Sequence, residues 1–409
     1  MKHRMNNSFS FELGAKLGGD SLARTGTIHT PHGDIKTPAF IVVGTKAAVK
    51  TLVPEQVKAV HAQAVLANAY HLYLQPGHEL VEKAGGLSEF MRWDGPTFTD
   101  SGGFQVLSLG SGFKKVLAMQ SDTQLETEDV IAPAKTRHAF VDEDGVTFKS
   151  HLNGSLHRFT PEHSMRVQAA IGADITFAFD ELTSLMDPYE YQVDSLKRTH
   201  RWAERCIAEV ERIRAESPER SYQALFGVIQ GAQYKDLREE AAAFMGNLPF
   251  DGYGIGGALE KDQLGDIVRW VNTILPENKP RHLLGISEPN DIFLAIEQGV
   301  DTFDCVSPTR VARNGAVYTY NGRVNIKGAK YKEDFSPLLN DCACYTCQNY
   351  TTAYVQHLFR AKESLAGTLV SIHNEHFIIK LVDDIRESIE TGNFYEFRDS
   401  WLANYYAKQ

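Results

Sequence analysis

Short apolar, β-branched runs alternate with longer amphipathic stretches along most of this chain. The runs are "PAFIVVG", "AVLANAY", "PTFTDSGG", "DITFAFDE", "ALFGVIQG", "GYGIGG", "RHLLGIS" and "DTFDCVSP". Each is brief, mostly apolar and bounded by glycine, proline or a polar residue, the pattern of a strand covered on both faces. Between them, "PEQVKAVHAQ", "HELVEKAGG", "YQVDSLKRTHRWAERCIAEVERIRA", "DLREEAAAFMG", "LGDIVRWVNTILP" and "PNDIFLAIEQG" predict helices. Eight strands with helices between them predict an α/β fold, a (β/α)8 barrel of the TIM type, over residues 1–329. An open doubly wound sheet would alternate in the same way. The barrel is preferred because Asp100, Asp180, Glu181, Gln230, Gly257 and Asp304 all fall at or just past the C-terminal end of a run. In a barrel those ends converge on the face that carries the active site, whereas an open sheet would spread them along an edge.

Two stretches break the rhythm. Residues 111–145 include "KKVLAMQSDTQLETEDVIAPAKTRHAFVDEDG", polar and poorly periodic, and predict a long insertion between the third and fourth strands. Residues 330–409 hold three cysteines and then the helical patterns "TAYVQHLFRAKESL" and "FIIKLVDDIRESIE". They predict a metal-binding helical subdomain packed on the barrel.

Composition narrows the class. No stretch of the 409 residues approaches the roughly 18 uninterrupted apolar residues of a membrane span. The opening "MKHRMNNSFSFELG" carries charge but no apolar core, so no secretory signal is expected and a cytoplasmic protein is. A net charge of −10 argues against a surface coated in cations, although a local basic patch suffices for nucleic acid. Five cysteines is an odd number, and three of them sit in "DCACYTCQ", which favours a metal site over a disulfide framework. Cys342, Cys344 and Cys347 supply three soft thiolates for a tetrahedral ion, zinc by choice of donor. His357, His373 and His376 all follow closely enough to be the fourth ligand, and spacing does not choose among them. Four protein ligands would make the site closed and structural. A catalytic zinc deaminase site needs H-x-E with P-C-x-x-C, and no proline precedes these cysteines.

"GIGGAL" fails the dinucleotide pattern because Leu259 stands where the third glycine belongs, and it comes sixth in strand order. Its glycines instead predict close backbone approach to something flat or to a neighbouring helix. Asp100, Asp180 and Asp304 each follow an apolar strand. One such acid is ordinarily a helix cap or an ion-pair partner. Three on one rim, beside Gln230, favour chemistry, and a pair of carboxylates suits displacement at an anomeric carbon. Downstream, "PTRVARNG" sets Arg310 and Arg313 beside the same rim, where phosphate contacts are expected in preference to solvated surface charge. Cys305 should point to the opposite side of its strand from Asp304, as buried filler, and Cys206 in the long helix is read the same way.

In chain order, "TDSGGFQV", "GVTFKSHLNGSLHRFTPE", "FAFDE", "LFGVIQG", "GIGG", "FDCVSPTRVARNG" and "CACYTC" followed by "SIHN" resemble the tRNA-guanine transglycosylases, or queuine tRNA-ribosyltransferases, over roughly residues 10–405. The resemblance implies a zinc-bearing insertion near the C-terminal end of a (β/α)8 barrel. It implies a glycosyltransferase of queuosine tRNA modification, exchanging guanine 34 of tRNAs with GUN anticodons for a 7-deazaguanine (preQ1 or queuine). Carried across, Asp304 is the nucleophile and Asp100 the general acid/base. Ser101, Phe104, Asp180, Gln230, Gly256, Gly257 and Leu284 bind the base, and Arg310 and Arg313 bind the tRNA. Cys342, Cys344, Cys347 and His373 hold one structural Zn2+. A homodimer is implied too, with Phe90, Tyr350, Tyr354 and His357 at matching contact positions. The chain departs from familiar bacterial members at Ala258, Leu259, Glu260 and Leu182, around the 7-substituent of the base, and at Asn153. A non-catalytic partner subunit, as found in eukaryotic enzymes, lacks the nucleophile and the acid/base that are present here.

Overall fold

The computed structural model describes residues 8–103, 139–257 and 261–407. The first described elements are an antiparallel sheet of β1 (Ser10–Lys16), β2 (Arg24–Thr30) and β3 (Gly33–Thr37). Then come β4 (Ala39–Val43), β5 (Val65–Ala67) and β6 (Thr97–Thr99). A second antiparallel sheet, β7 (Ala139–Val141), β8 (Val146–Lys149) and β9 (Leu156–Phe159), intervenes before β10 (Ile175–Phe177), β11 (Ala224–Ile229), β12 (Gly252–Ile255), β13 (Arg281–Leu283) and β14 (Thr302–Cys305). The parallel order β10-β11-β12-β13-β14-β4-β5-β6 closes on itself, because β6 pairs with β10. Each of the eight apolar runs supplies one barrel strand. Most of the expected insertion, residues 111–138, lies outside the described residues, and its last part forms β7 and the turn into β8.

Strand alternation decides what the lumen holds. Ala39, Ile41 and Val43 of β4 face inward with Phe98, Phe177, Phe226 and Val228, while Phe40 and Val42 pack outward under the helices. Thr302 and Asp304 pair with Ala39 and Ile41 across the ladder and so share the inward parity. Cys305 takes the outward parity and is buried among the outer apolar residues, as expected. Cys206 is buried too, on the helix Tyr189–Glu216. Gly252 and Gly254 are small for a reason. A Cβ would stand 2.5 Å from the Phe226 ring at the first and 2.8 Å from the Phe177 ring at the second. The flat objects these glycines approach are the aromatic filling of the barrel.

The first sheet closes the end remote from the site. Its Ile28 and Ile35 join the inner cluster, and Phe9 and Phe11 pack against it. Arg24 forks onto Asp301, the residue just before β14, through Nε and one Nη at 2.9 and 2.6 Å. At the other end, "AVLANAY" stops being strand at Ala67, because the Asn68 side chain accepts the His71 N–H (3.0 Å) and caps a short helix, Ala69–Leu74.

After β14 come the helix Ser307–Arg313 and the hairpin of β15 (Ala316–Thr319) and β16 (Gly322–Asn325), followed further along by the helices Tyr345–Asn349 and Thr352–Ala361. The helix Leu365–Thr391 then runs against Ser307–Arg313 and β4, and Phe394–Tyr406 follows it. Among the described residues no helix is long and apolar enough to cross a membrane.

Candidate active site and metal centre

The inward parity of β14 sets Asp304 at the C-terminal rim of the barrel, with 14% of its side chain exposed. Its Oδ1 accepts from His282 Nε2 (3.1 Å) and the Gly285 N–H (3.4 Å). Its Oδ2 has no partner among the described residues. Three places round the barrel, just beyond β6, Asp100 accepts the Ala69 N–H at Oδ1 (2.8 Å) and the Asn68 amide at Oδ2. Two carboxylates are thereby presented at one mouth, each fixed by donors from neighbouring strand ends.

Between them on the rim lies a polar nest. Asp180, beyond β10, accepts from Ser101 Oγ at Oδ1 (3.0 Å) and from Gln230 Nε2 at Oδ2 (2.6 Å). Burial raises its pKa above the ordinary carboxylate value, against the pull of the Gln230 and Ser101 donors. Gln230 Oε1 is buried without a partner among the described residues. Gly256 and Gly257 follow β12, and a Cβ on Gly257 would sit 2.7 Å from Gln230 Oε1. Gly257 also has φ +96°, a region that glycine enters without strain. Leu284 Cδ1 approaches the same strand end, 3.6 Å from where a Gly256 Cβ would stand. Acceptor, donors and an apolar wall together form a surface fitted to the hydrogen-bonding edge of a flat polar heterocycle.

Of the residues expected in the base site, Ser101, Asp180, Gln230, Gly256, Gly257 and Leu284 converge here, while Phe104 lies outside the described residues. So do Ala258, Leu259 and Glu260. Leu182 packs half-buried against the outer core. Glu181 turns away from the rim into contacts with Arg198 and with the Tyr191 hydroxyl (2.6 Å). Asn153 is exposed in the turn between β8 and β9 and accepts from Ser155.

Three residues that hold the site in shape were not singled out by the sequence pattern. Asn68 and His282 grip the two carboxylates. Arg238, wholly buried, donates to the carbonyls of Ala232 (2.8 Å), Ile229 (3.0 Å) and Gly256 (2.8 Å), tying the ends of β11 and β12 together. The parity shared by His282, Thr302 and Asp304 is the one signal that would have found the histidine.

Arg310 and Arg313 lie on the helix that leaves β14 directly after the rim. Neither has a carboxylate partner among the described residues. Burial and the neighbouring Arg310 charge lower the pKa of Arg313.

The cysteines form a separate centre. Sγ of Cys342, Cys344 and Cys347 stand 3.7, 3.6 and 3.3 Å from His373 Nδ1, and all four residues are buried. A tetrahedral ion with metal–sulfur bonds of about 2.3 Å and a metal–nitrogen bond of about 2.0 Å calls for sulfur–nitrogen separations of about 3.5 Å. The fit is close. His373 Nε2 donates to the Tyr318 carbonyl (2.8 Å), which leaves Nδ1 free to act as the ligand. Of the three candidate histidines, only His373 belongs to this group, so the four residues can hold a metal ion with a donor set suited to zinc.

A profile described as queuine tRNA-ribosyltransferase matches residues 20–407. The chain is similar to the queuine tRNA-ribosyltransferase of Pelotomaculum thermopropionicum, with 44% identity over 386 residues, 94% of this chain and 95% of that protein. The enzyme of the same name from Desulforamulus reducens is 45% identical over 383 residues, 93% and 94% of the two chains. That of Staphylococcus epidermidis is 44% identical over 386 residues, 94% and 93%.

Proposed function

The chain belongs to the queuine tRNA-ribosyltransferase family, and on that basis we propose that it exchanges guanine 34 of tRNAs with GUN anticodons for a 7-deazaguanine, preQ1 or queuine. Asp304 Oδ2 attacks C1′ of the ribose as the bond from C1′ to the base breaks, and the phosphodiester chain stays whole. Asp100 supplies the proton that the departing guanine needs and takes one from the incoming base. The second base then displaces Asp304 from C1′. Two displacements at one carbon retain its configuration and predict ping-pong kinetics.

Asp180 accepts from N1–H and the exocyclic amine of the base. Gln230 Nε2 has a second hydrogen beyond the one given to Asp180, and with the Gly257 N–H it serves O6. Phe104 and Leu284 cover the two faces. The base must leave its stack to arrive, and Arg310 and Arg313 hold the phosphates of the opened loop. Zinc, held by Cys342, Cys344, Cys347 and His373, supplies a structural crosslink and takes no part in the exchange. Two chains pair through the aromatic surface of Tyr350, Tyr354 and His357 against the barrel face that carries Phe90, and the enzyme works in the cytoplasm. The barrel, residues 1–329, carries the chemistry, and residues 330–409 carry the metal.

The observation that carries this function is Asp304 itself, with one oxygen pinned and the other without a partner among the described residues, on the same rim as the nest around Asp180. The test offers labelled guanine, preQ1 and queuine separately to tRNA with a GUN anticodon. Incorporation is expected for the wild type and none for Asp304→Asn. A wild type that incorporates no base would sink the proposal.

A further inference from the structure

We infer that His282 is a positioning residue for the exchange, the middle member of a Thr302–His282–Asp304 relay that sets which carboxylate oxygen of Asp304 attacks. The inference rests on the function proposed above and goes on to say how its nucleophile is aimed.

His282 stands in the barrel lumen, wholly buried, where small barrels ordinarily place branched aliphatic side chains. An imidazole there is tolerated only if both nitrogens find partners. Both do. Nδ1 lies 2.9 Å from Thr302 Oγ1, on the residue paired with His282 across the ladder, and Nε2 lies 3.1 Å from Asp304 Oδ1. The chemistry of the partners fixes the direction. An ionised carboxylate only accepts, so Nε2 carries the hydrogen, and Nδ1 then accepts the Thr302 hydroxyl hydrogen. The ring is clamped between Phe177 and Phe98, with centroids at 5.3 and 5.6 Å. The imidazole cannot swing without displacing the aromatic filling of the barrel.

Pinning Oδ1 from below leaves Oδ2 as the oxygen that faces the mouth. In the first displacement a bond forms between Oδ2 and C1′, and the electron pair of the breaking C1′–base bond leaves with the base. In the second, the incoming base forms its bond to C1′, and the ester's electron pair returns to Asp304. The negative charge then recovered on the carboxylate is shared with Oδ1, where the Nε2–H already waits. No proton moves along the relay in either step. His282 touches no substrate, because Asp304 stands between it and the mouth.

A bulky lumen filler would account for the burial but not for the hydrogen bonds, and substitutions separate the two roles. His282→Phe keeps a ring between Phe98 and Phe177 and removes the donor. His282→Gln offers an amide N–H at a similar reach, and Thr302→Val removes the group that fixes the tautomer. Labelled-guanine exchange is measured for each, with KM for base and tRNA taken apart from kcat, beside wild type and Asp304→Asn.

His282→Phe is expected to lose about 10- to 100-fold in kcat with each KM within roughly twofold of wild type, the loss typical of removing a group that orients a reacting one. His282→Gln should recover most of that loss, and Thr302→Val should fall between. An unchanged kcat in His282→Phe, or equal losses in His282→Phe and His282→Gln, would overturn the relay. If His282→Phe fails to fold, Thr302→Val decides, and an unchanged kcat there overturns it as well. A wild type with no exchange at all would instead overturn the underlying function.

Discussion

Both oxygens of Asp180 accept hydrogen bonds, from Ser101 and Gln230, yet burial still raises its pKa above the ordinary carboxylate value. The sign matters for function. A raised pKa means the fold favours the protonated form, so stability linked to this group is present at low pH and fades as pH rises through that pKa. The recognition of N1–H and an exocyclic amine proposed for Asp180 needs the opposite, ionised form. Affinity for the base should therefore weaken on acidification at a higher pH than an unperturbed carboxylate would dictate. In Asp180→Asn, KM for the base should rise about 10- to 100-fold, the worth of a hydrogen bond to a charged group. That variant should also lose the pH dependence of KM through this range, and a wild-type profile that is equally flat would show that Asp180 does not titrate in recognition. Asp100, Asp180 and Asp304 were legible in the sequence because each ends an apolar run, where a polar residue is conspicuous. His282 was not, because it lies inside "RHLLGIS" and its meaning depends on a neighbouring strand. Once the parity of β14 is known, His282 and Thr302 must face the same lumen as Asp304.

One residue of the helix Lys235–Gly246 holds together two strands that it does not belong to. Arg238 reaches back to the carbonyls of Ala232, Ile229 and Gly256, and burial pushes its guanidinium down to about 9. Arg238→Met would leave three buried acceptors without their donor. Leaving a buried acceptor unsatisfied costs about 1–3 kcal/mol, so a loss of a few kcal/mol in unfolding free energy, read as a lower denaturation midpoint, is expected. Arg238→Lys should recover little, since one ammonium cannot reproduce the forked geometry. A midpoint within error of wild type would show that water replaces the guanidinium. The barrel strands could be read from sequence because burial on both faces leaves a nearly unbroken apolar run. The sheets outside the barrel could not. β1 alternates exposed and half-buried positions through "SFELGAK", a period of two that is short and carries only Phe11, Leu13 and Ala15 on its covered face, while β7 and β9 carry exposed Phe140 and Leu156 and leave no clean period. The helix Leu365–Thr391 was read only in its second half. Its first half, around His373, mixes small and polar residues whose helical face is covered by the metal centre and by the helix Ser307–Arg313.

A net charge of −10 and an RNA substrate are compatible because the cations that matter are local, and Arg310 and Arg313 carry no carboxylate partner among the described residues to compete with phosphate. The metal centre bears on the proposed pairing of two chains through a different set of contacts. The helix Tyr345–Asn349 has five residues, too few to persist without outside support. Its cap is the Cys344 sulfur, which accepts the Cys347 N–H (3.4 Å), and Gln348 Nε2 ties it back to the Cys342 carbonyl (2.7 Å). The next helix begins at Thr352, and between the two lies Tyr350, stacked on Tyr354 with ring centroids 5.5 Å apart and with its own centroid 5.9 Å from that of the exposed Tyr345. The aromatic surface proposed for pairing is therefore built on segments that the metal ligands hold in place. Structural zinc sites contribute on the order of 10 kcal/mol to the segments they organise. Chelation under reducing conditions, or Cys344→Ser, should accordingly release dimers to monomers at micromolar concentration, while the barrel helices keep their circular dichroism. Light-scattering mass measured before and after chelation is the check. A chain that loses its metal and stays dimeric would move the interface away from Tyr350 and Tyr354, and a chain monomeric from the outset would remove the pairing altogether.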